Sequence, residues 1–100
     1  MAALNHFTLT AILVSKDAIR FTPAGIPVMH CQLEHSGEAT EVGIARKVQM
    51  SVEAVAIGPI QKDLEQMELG AEAVFKGFLA PKTLRNQKLV FHINHIQLKI

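Results

Sequence analysis

One short helical pattern divides a chain that is otherwise patterned for strands. Ile60, Leu64 and Met67 recur at i, i+4 and i+7, and Lys62, Asp63, Glu65, Gln66 and Glu68 fill the positions between them. A stripe of that width on a helix of about ten residues covers one small apolar surface, such as the open end of a barrel. Gly58-Pro59 stops the segment before it, and proline suits the first helical position. Leu69-Gly70 then turns the chain out of the helix, because glycine adopts a left-handed conformation without a Cβ clash. The next segment, Ala71 to Ala80, reads as a strand with Gly77 in its middle, and an interior glycine suits the sharp bend of a barrel corner.

The remaining segments have the polarity such a barrel requires. From Leu4 to Val14, Phe7, Leu9, Ala11 and Leu13 alternate with Thr8 and Thr10, which predicts a first strand. The second face of that strand turns apolar at Ile12 and Val14 and needs a cover; a partner subunit and a local loop both satisfy it. Ser15 to Pro27, punctuated by Thr22-Pro23-Ala24-Gly25, predicts a long loop. Val28 to His35 predicts a second strand, with Met29, Cys31 and Leu33 facing inward. Ser36 to Ala45 is aperiodic and predicts a second, mobile loop. Arg46 to Ile57 predicts a third strand, with Val48, Met50, Val52 and Ala54 on one face and both faces covered by Val55 and Ile57. After the fourth strand, Pro81 to Gln87 predicts a loop, and Lys88 to the terminus a fifth strand with Leu89, Phe91 and Ile93 inward. The apolar parity then slips to Ile96, Leu98 and Ile100, which a bulge near Asn94 or His95 explains.

Three strands, one helix and two strands is the order of the OB-fold, a five-stranded barrel whose helix lies between the third and fourth strands. The expected class is therefore all-β, with residues 1–100 forming a single OB-fold domain. Apolar residues make up 49% of the chain and charged ones 19%, an ordinary globular composition. The lone cysteine, Cys31, cannot form an internal disulfide; with Met29 and Leu33 at strand spacing it reads as a small buried hydrophobe in a reducing compartment. No signal-peptide pattern and no apolar run of membrane-spanning length are present, so the expected location is the cytoplasm, with no membrane partner.

The residues offer little for catalysis. There is no G-x-S-x-G, phosphate-loop or dinucleotide motif, and His35-Ser36 are neighbours that would not face one another. On regular strands His92 and His95, like His30 and His35, point to opposite faces, and no cysteine pair supports a metal site. The expectation is a protein that is not an enzyme and uses no cofactor or metal.

Charge distribution is more informative than the formal net charge of +1. From Ala73 onward the chain carries Lys76, Lys82, Arg85, Lys88 and Lys99 and no acid. Lys82, Arg85 and Lys88 fall in the loop between the fourth and fifth strands, and Arg46 and Lys47 stand at the start of the third strand. An OB-fold uses its second and third strands, with the loops joining strands one to two and four to five, to hold single-stranded nucleic acid. Two readings fit: these cations meet phosphates, or they keep the barrel soluble and its edges unpaired. Trp and Tyr are absent, and Phe7, Phe75 and Phe91 lie on inward parity. Only Phe21 in the first loop and Phe78 on the outer face could stack on a base, so binding should be modest and sequence-tolerant, rest on phosphate charge and weaken steeply with salt.

Asn5-His6-Phe7-Thr8-Leu9, Thr22-Pro23-Ala24-Gly25-Ile26-Pro27, Cys31-Gln32-Leu33-Glu34-His35, Gly77-Phe78-Leu79 and Ile96-Gln97-Leu98 together resemble the primosomal replication protein N family. The similarity runs from about Asn5 to Leu98. It implies an OB-fold homodimer that binds single-stranded DNA and contacts a primosomal helicase and other primosome proteins in bacterial replication restart. By position, Lys82, Arg85 and Lys88 match the family's basic loop and Arg46 a basic position at the start of strand three. Gln49 stands where the family can carry an aromatic residue, and Ile44 replaces another. Two functional classes remain: a single-strand-binding accessory factor, and an interaction module that docks a helicase with DNA incidental.

Overall fold

The computed structural model describes residues 3–99. Its elements are β1 (Phe7–Lys16), β2 (Arg20–Phe21), β3 (Pro27–Glu41), β4 (Ile44–Ile57), α1 (Ile60–Gln66), β5 (Glu72–Pro81) and β6 (Leu89–Leu98). The five expected strands are β1, β3, β4, β5 and β6. The sheet runs β1-β5-β6-β4-β3-β2, and β1 also pairs with β3, which closes β1, β5, β6, β4 and β3 into a barrel with β2 appended to β3. The all-β, five-stranded OB-fold expectation is met.

Alternation along β1, β3 and β5, joined by the consecutive buried residues of β4, builds the core. Leu9, Ala11 and Leu13 of β1, Met29, Cys31 and Leu33 of β3, and Ala54 and Ala56 of β4 are buried with Phe75, Phe91 and Ile93. Small is set beside large where Ala54 is registered with Phe91, as a narrow barrel interior requires. Phe7 meets Phe91 edge to face, with centroids 4.8 Å apart. The helix closes one end, with Leu64 and Met67 buried and Ile60 packed against the core. It is shorter than the ten-residue expectation, because Met67 already has extended backbone. Its exposed carbonyls are held from an unexpected direction: the Lys16 ammonium donates to the carbonyls of Glu65 at 2.8 Å and Met67 at 2.7 Å. A cation at a helix C-terminus is favoured there by the exposed carbonyl dipoles.

Both organising glycines do what the chain needs of them. Gly70, at φ +89°, turns the chain from helix to strand and donates its N–H to Leu13. Gly77 has a different reason: a Cβ there would lie 1.8 Å from the carbonyl oxygen of His92. The bend is a close approach of β5 to β6. Just beyond it the register shifts, Lys76 pairing with His95 and Gly77 with Ile93, so Asn94 is the extra residue of the expected bulge. Ile100, expected on the same inward parity, lies outside the described residues.

Three expectations are corrected. The 36–45 segment is not a mobile loop: β3 and β4 pair without a break from Val28↔Ile57 to Glu41↔Ile44. The turn is the two-residue Val42-Gly43, both at positive φ (51° and 74°), the hairpin geometry that matches strand twist. The long first loop contains β2, and β1 runs on through a bulge between Leu13 and Ser15. Of the two late β4 residues expected to cover the second face, Val55 is buried but Ile57 is 46% exposed.

Candidate nucleic-acid interface

The outer face of the β3–β4 ladder lies between two loops whose conformation is set by local hydrogen bonds. In the first, Gly25 donates to the Thr22 carbonyl at 2.8 Å and Ile26 to the Thr22 hydroxyl at 3.1 Å, closing a turn with Pro23 at its second position. That turn holds the short β2, pairing Arg20 with Val28 and Phe21 with Pro27. In the second loop, Lys82 N–H donates to Lys88 O at 2.8 Å, Asn86 N–H to Thr83 Oγ1 at 2.8 Å, and Lys88 N–H to Asn86 Oδ1 at 3.0 Å. The loop is thus a compact, self-bonded turn that carries Arg85 near its tip and Lys82 and Lys88 at its two feet. Turn chemistry in Thr83 and Asn86 does this, so the cations are presented from an ordered base.

Between these loops the face is mixed in charge. Arg20, Lys82, Asp17, His30, Gln32 and Glu53 line a cleft of about 310 Å³. A second, of about 330 Å³, opens where β4 and β6 diverge, lined by Ser51, Glu53, Lys88, Phe7 and Val52. Lys82 Nζ sits 3.3 Å from Glu53 Oε2, and the Glu53 side chain is only 15% exposed.

The expected site residues divide into two groups. Lys82 and Lys88 flank the two clefts, and Arg85 belongs to the same loop. Phe21 is 63% exposed beside Arg20. Lys47 and Gln49 lie farther out on the ladder, around a shallow concavity with Ser36, Gly37 and Glu38. Arg46 has the opposite strand parity from Lys47, and its Nε lies 3.0 Å from Glu41 Oε1; an exposed pair of this kind contributes little. The structure therefore brings the loop cations together at the barrel and leaves Arg46, Lys47 and Gln49 on the projecting half of the ladder. Arg20, Gln32 and Glu53 are the face residues that sequence reasoning passed over. Their signal was period-two polarity, Gln32 and Glu53 being direct cross-strand partners.

Phe78 is already partly occupied: its ring stacks on His92 with centroids 4.9 Å apart. The bulge at Asn94 also overturns the parity assigned to the histidines, since His92 pairs with Phe78 and His95 with Lys76, two residues apart on β5. Both share the outer face. Burial, and then the charge of His30 across Val55, lower the His92 pKa. Among the described residues no three His, Cys, Asp or Glu side chains come together as a metal site. Cys31 is buried, and burial followed by the Asp17 charge pushes its thiol up to about 12, the behaviour of an inert core thiol.

Residues 5–95 match the profile of a family described as "another single-strand binding protein family". The chain belongs to this family. Within it, the chain is similar to proteins named replication restart protein PriB. It is 36% identical to that of Bordetella pertussis over 90% of this chain and 84% of that protein, and 34% identical to that of Neisseria gonorrhoeae over 97% and 96%. The solved structure of PriB from Ralstonia solanacearum superposes with a TM-score of 0.89 at 37% identity, covering 98% of this chain and all of that one. The single-stranded DNA-binding protein of Thermus aquaticus, at 19% identity and a TM-score of 0.76, shares the fold; this chain spans 51% of it. The fold of the chain is thus shared with that solved PriB structure over nearly its whole length.

Proposed function

We propose that the protein is a single-stranded DNA-binding accessory factor of bacterial replication restart, acting in the cytoplasm by binding rather than by catalysis. The observation that carries this reading is the self-bonded 82–88 turn, which holds Lys82 and Lys88 beside clefts on the β3–β4 face, with Arg85 between them. Phosphates running past the loop would replace condensed counterions, each contact contributing about 0.7 to the log–log salt slope for a single strand. Arg46, Lys47, Gln49 and Phe21 extend the path along the ladder and onto the first loop. The names of the relatives support the restart role.

The proposal includes a homodimer and a primosomal helicase as partner. Ile12 and Val14 are 40% and 47% exposed side by side on β1. Among the described residues nothing covers them fully, which supports a second subunit, one of the two covers expected from the sequence. A second reading, an interaction module that docks a helicase with DNA incidental, is favoured by one observation: Leu84, at the tip of the basic loop, is 97% exposed.

The triple charge reversal K82E/R85E/K88E separates the two. On the DNA reading, anisotropy with a labelled single strand shows binding lost at low salt, and helicase stimulation disappears with it. Stimulation that persists without DNA binding favours the docking module. Wild-type affinity that does not change with salt contradicts the phosphate-charge account.

A further inference from the structure

The gap beside Glu53 has no role in a purely phosphate-binding account. β4 and β6 pair only from Ala54 to Ala56 and from Phe91 to Ile93. Before that they separate, and the lining of the resulting cleft is apolar at Phe7, Val52 and the exposed Leu89 and polar at Gln32, Glu53 and Lys88. A few polar groups beside apolar ones is the build of a small planar ligand site. A phosphate is excluded from its inner edge, because the largely buried Glu53 carboxylate faces it and Gln32 is its cross-strand neighbour. The cations, by contrast, stand at the loop. A single strand lying here would keep its backbone against Lys82, Arg85 and Lys88 and turn its bases toward the sheet.

Resting on the single-strand reading above, we propose that this gap is a nucleobase subsite in which Glu53 selects bases that carry an exocyclic amino group. A carboxylate only accepts hydrogen bonds. It pairs with the cytosine N4 amino group, with Lys88, which lines the same gap, donating to the neighbouring ring nitrogen or carbonyl. Thymine presents its one N–H between two carbonyl oxygens, so the same carboxylate meets like partial charge on either side. Cytosine is therefore favoured over thymine at this position. Glu53 also holds Lys82 at 3.3 Å across from the gap, so a base that displaces this contact must offer Glu53 a donor in exchange.

The test compares oligothymidylate, oligocytidylate and an abasic strand of equal length in slightly alkaline buffer, where cytosines stay unprotonated. Wild-type protein should bind oligocytidylate at least about fivefold more tightly than oligothymidylate, with the abasic strand weaker than oligocytidylate. Glu53→Gln should erase the preference, chiefly by raising affinity for oligothymidylate, since an amide both donates and accepts. The proposal is overturned if wild type binds the two homopolymers equally. It is also overturned if Glu53→Gln changes both affinities by one factor, which would mean that Glu53 only masks Lys82. Wild type alone decides the first comparison, so a poorly folding variant does not rescue the idea. Failure of wild type to bind any strand at low salt removes the single-strand reading itself and the subsite with it.

Discussion

Two halves of one ladder behave as different objects. Between Val28 and Leu33, β3 lies on the barrel and every second side chain is buried against β1, β4 or the helix. Between Ser36 and Glu41 the same strand, paired with Ile44 to Gln49, stands off the barrel, and nearly all its residues are exposed. Backbone pairing is continuous through both. Hydrogen bonds alone therefore carry a ribbon about as far as its turn permits, while burial decides which part of it is globally stable. The candidate interface sits at the junction: the clefts lie over the barrel half, and Lys47 and Gln49 lie on the arm.

The strongest challenge to this contrast is made in the barrel. Gly77→Ala would drive a Cβ into the His92 carbonyl and force β5 from β6, so a loss of about 4 kcal/mol or more is expected. Denaturant unfolding should find the variant largely unfolded, and a near-normal midpoint would mean that β5 and β6 are not so close. A smaller effect belongs to the helix. Lys16→Met removes two charge-assisted bonds to helix carbonyls at a cost of about 1–2 kcal/mol, read as a lower urea midpoint with an unchanged slope. The smallest global effect belongs to the arm. Val42 is a β-branched residue at φ 51°, a conformation that costs about 1–2 kcal/mol for most side chains and that asparagine tolerates. Val42→Asn should slow amide exchange around Glu38 and Lys47 while moving the global midpoint by less than about 0.5 kcal/mol. A comparable gain in the global midpoint would show that arm and barrel unfold together.

This same division explains what could be read from the chain. Period-two alternation in β1 and in the inner half of β3 reflects burial, and the helical stripe of Ile60, Leu64 and Met67 reflects a capped barrel end; both were legible, whereas in β4 the expected inward Met50 is exposed. The slip in apolar parity after Ile93 marked the bulge at Asn94 for the same reason. The arm was not legible, because a ribbon wetted on both faces has no reason to alternate, and Val42-Gly43 lacks the Asn-Gly or Asp-Gly signature of such turns. In the candidate site, Lys82, Arg85 and Lys88 stood out because they cluster in sequence without acids. Glu53 did not, because its meaning comes from Lys82, far along the chain. Lys16 was hidden similarly: a strand residue whose role is to hold helix carbonyls is visible only after the barrel closes.

The central claim is that a polyanion is held against the barrel half of the β3–β4 face by the cations of the 82–88 loop. Its most direct test follows the backbone amide resonances as a single-stranded oligonucleotide is added at low ionic strength. Shifts should concentrate in residues 82–88 and spread to Arg20, Gln32 and Glu53, and should collapse as salt is raised. An unresponsive 82–88 loop, or shifts confined to the arm around Val42 or to the β1 face at Ile12 and Val14, would contradict the account.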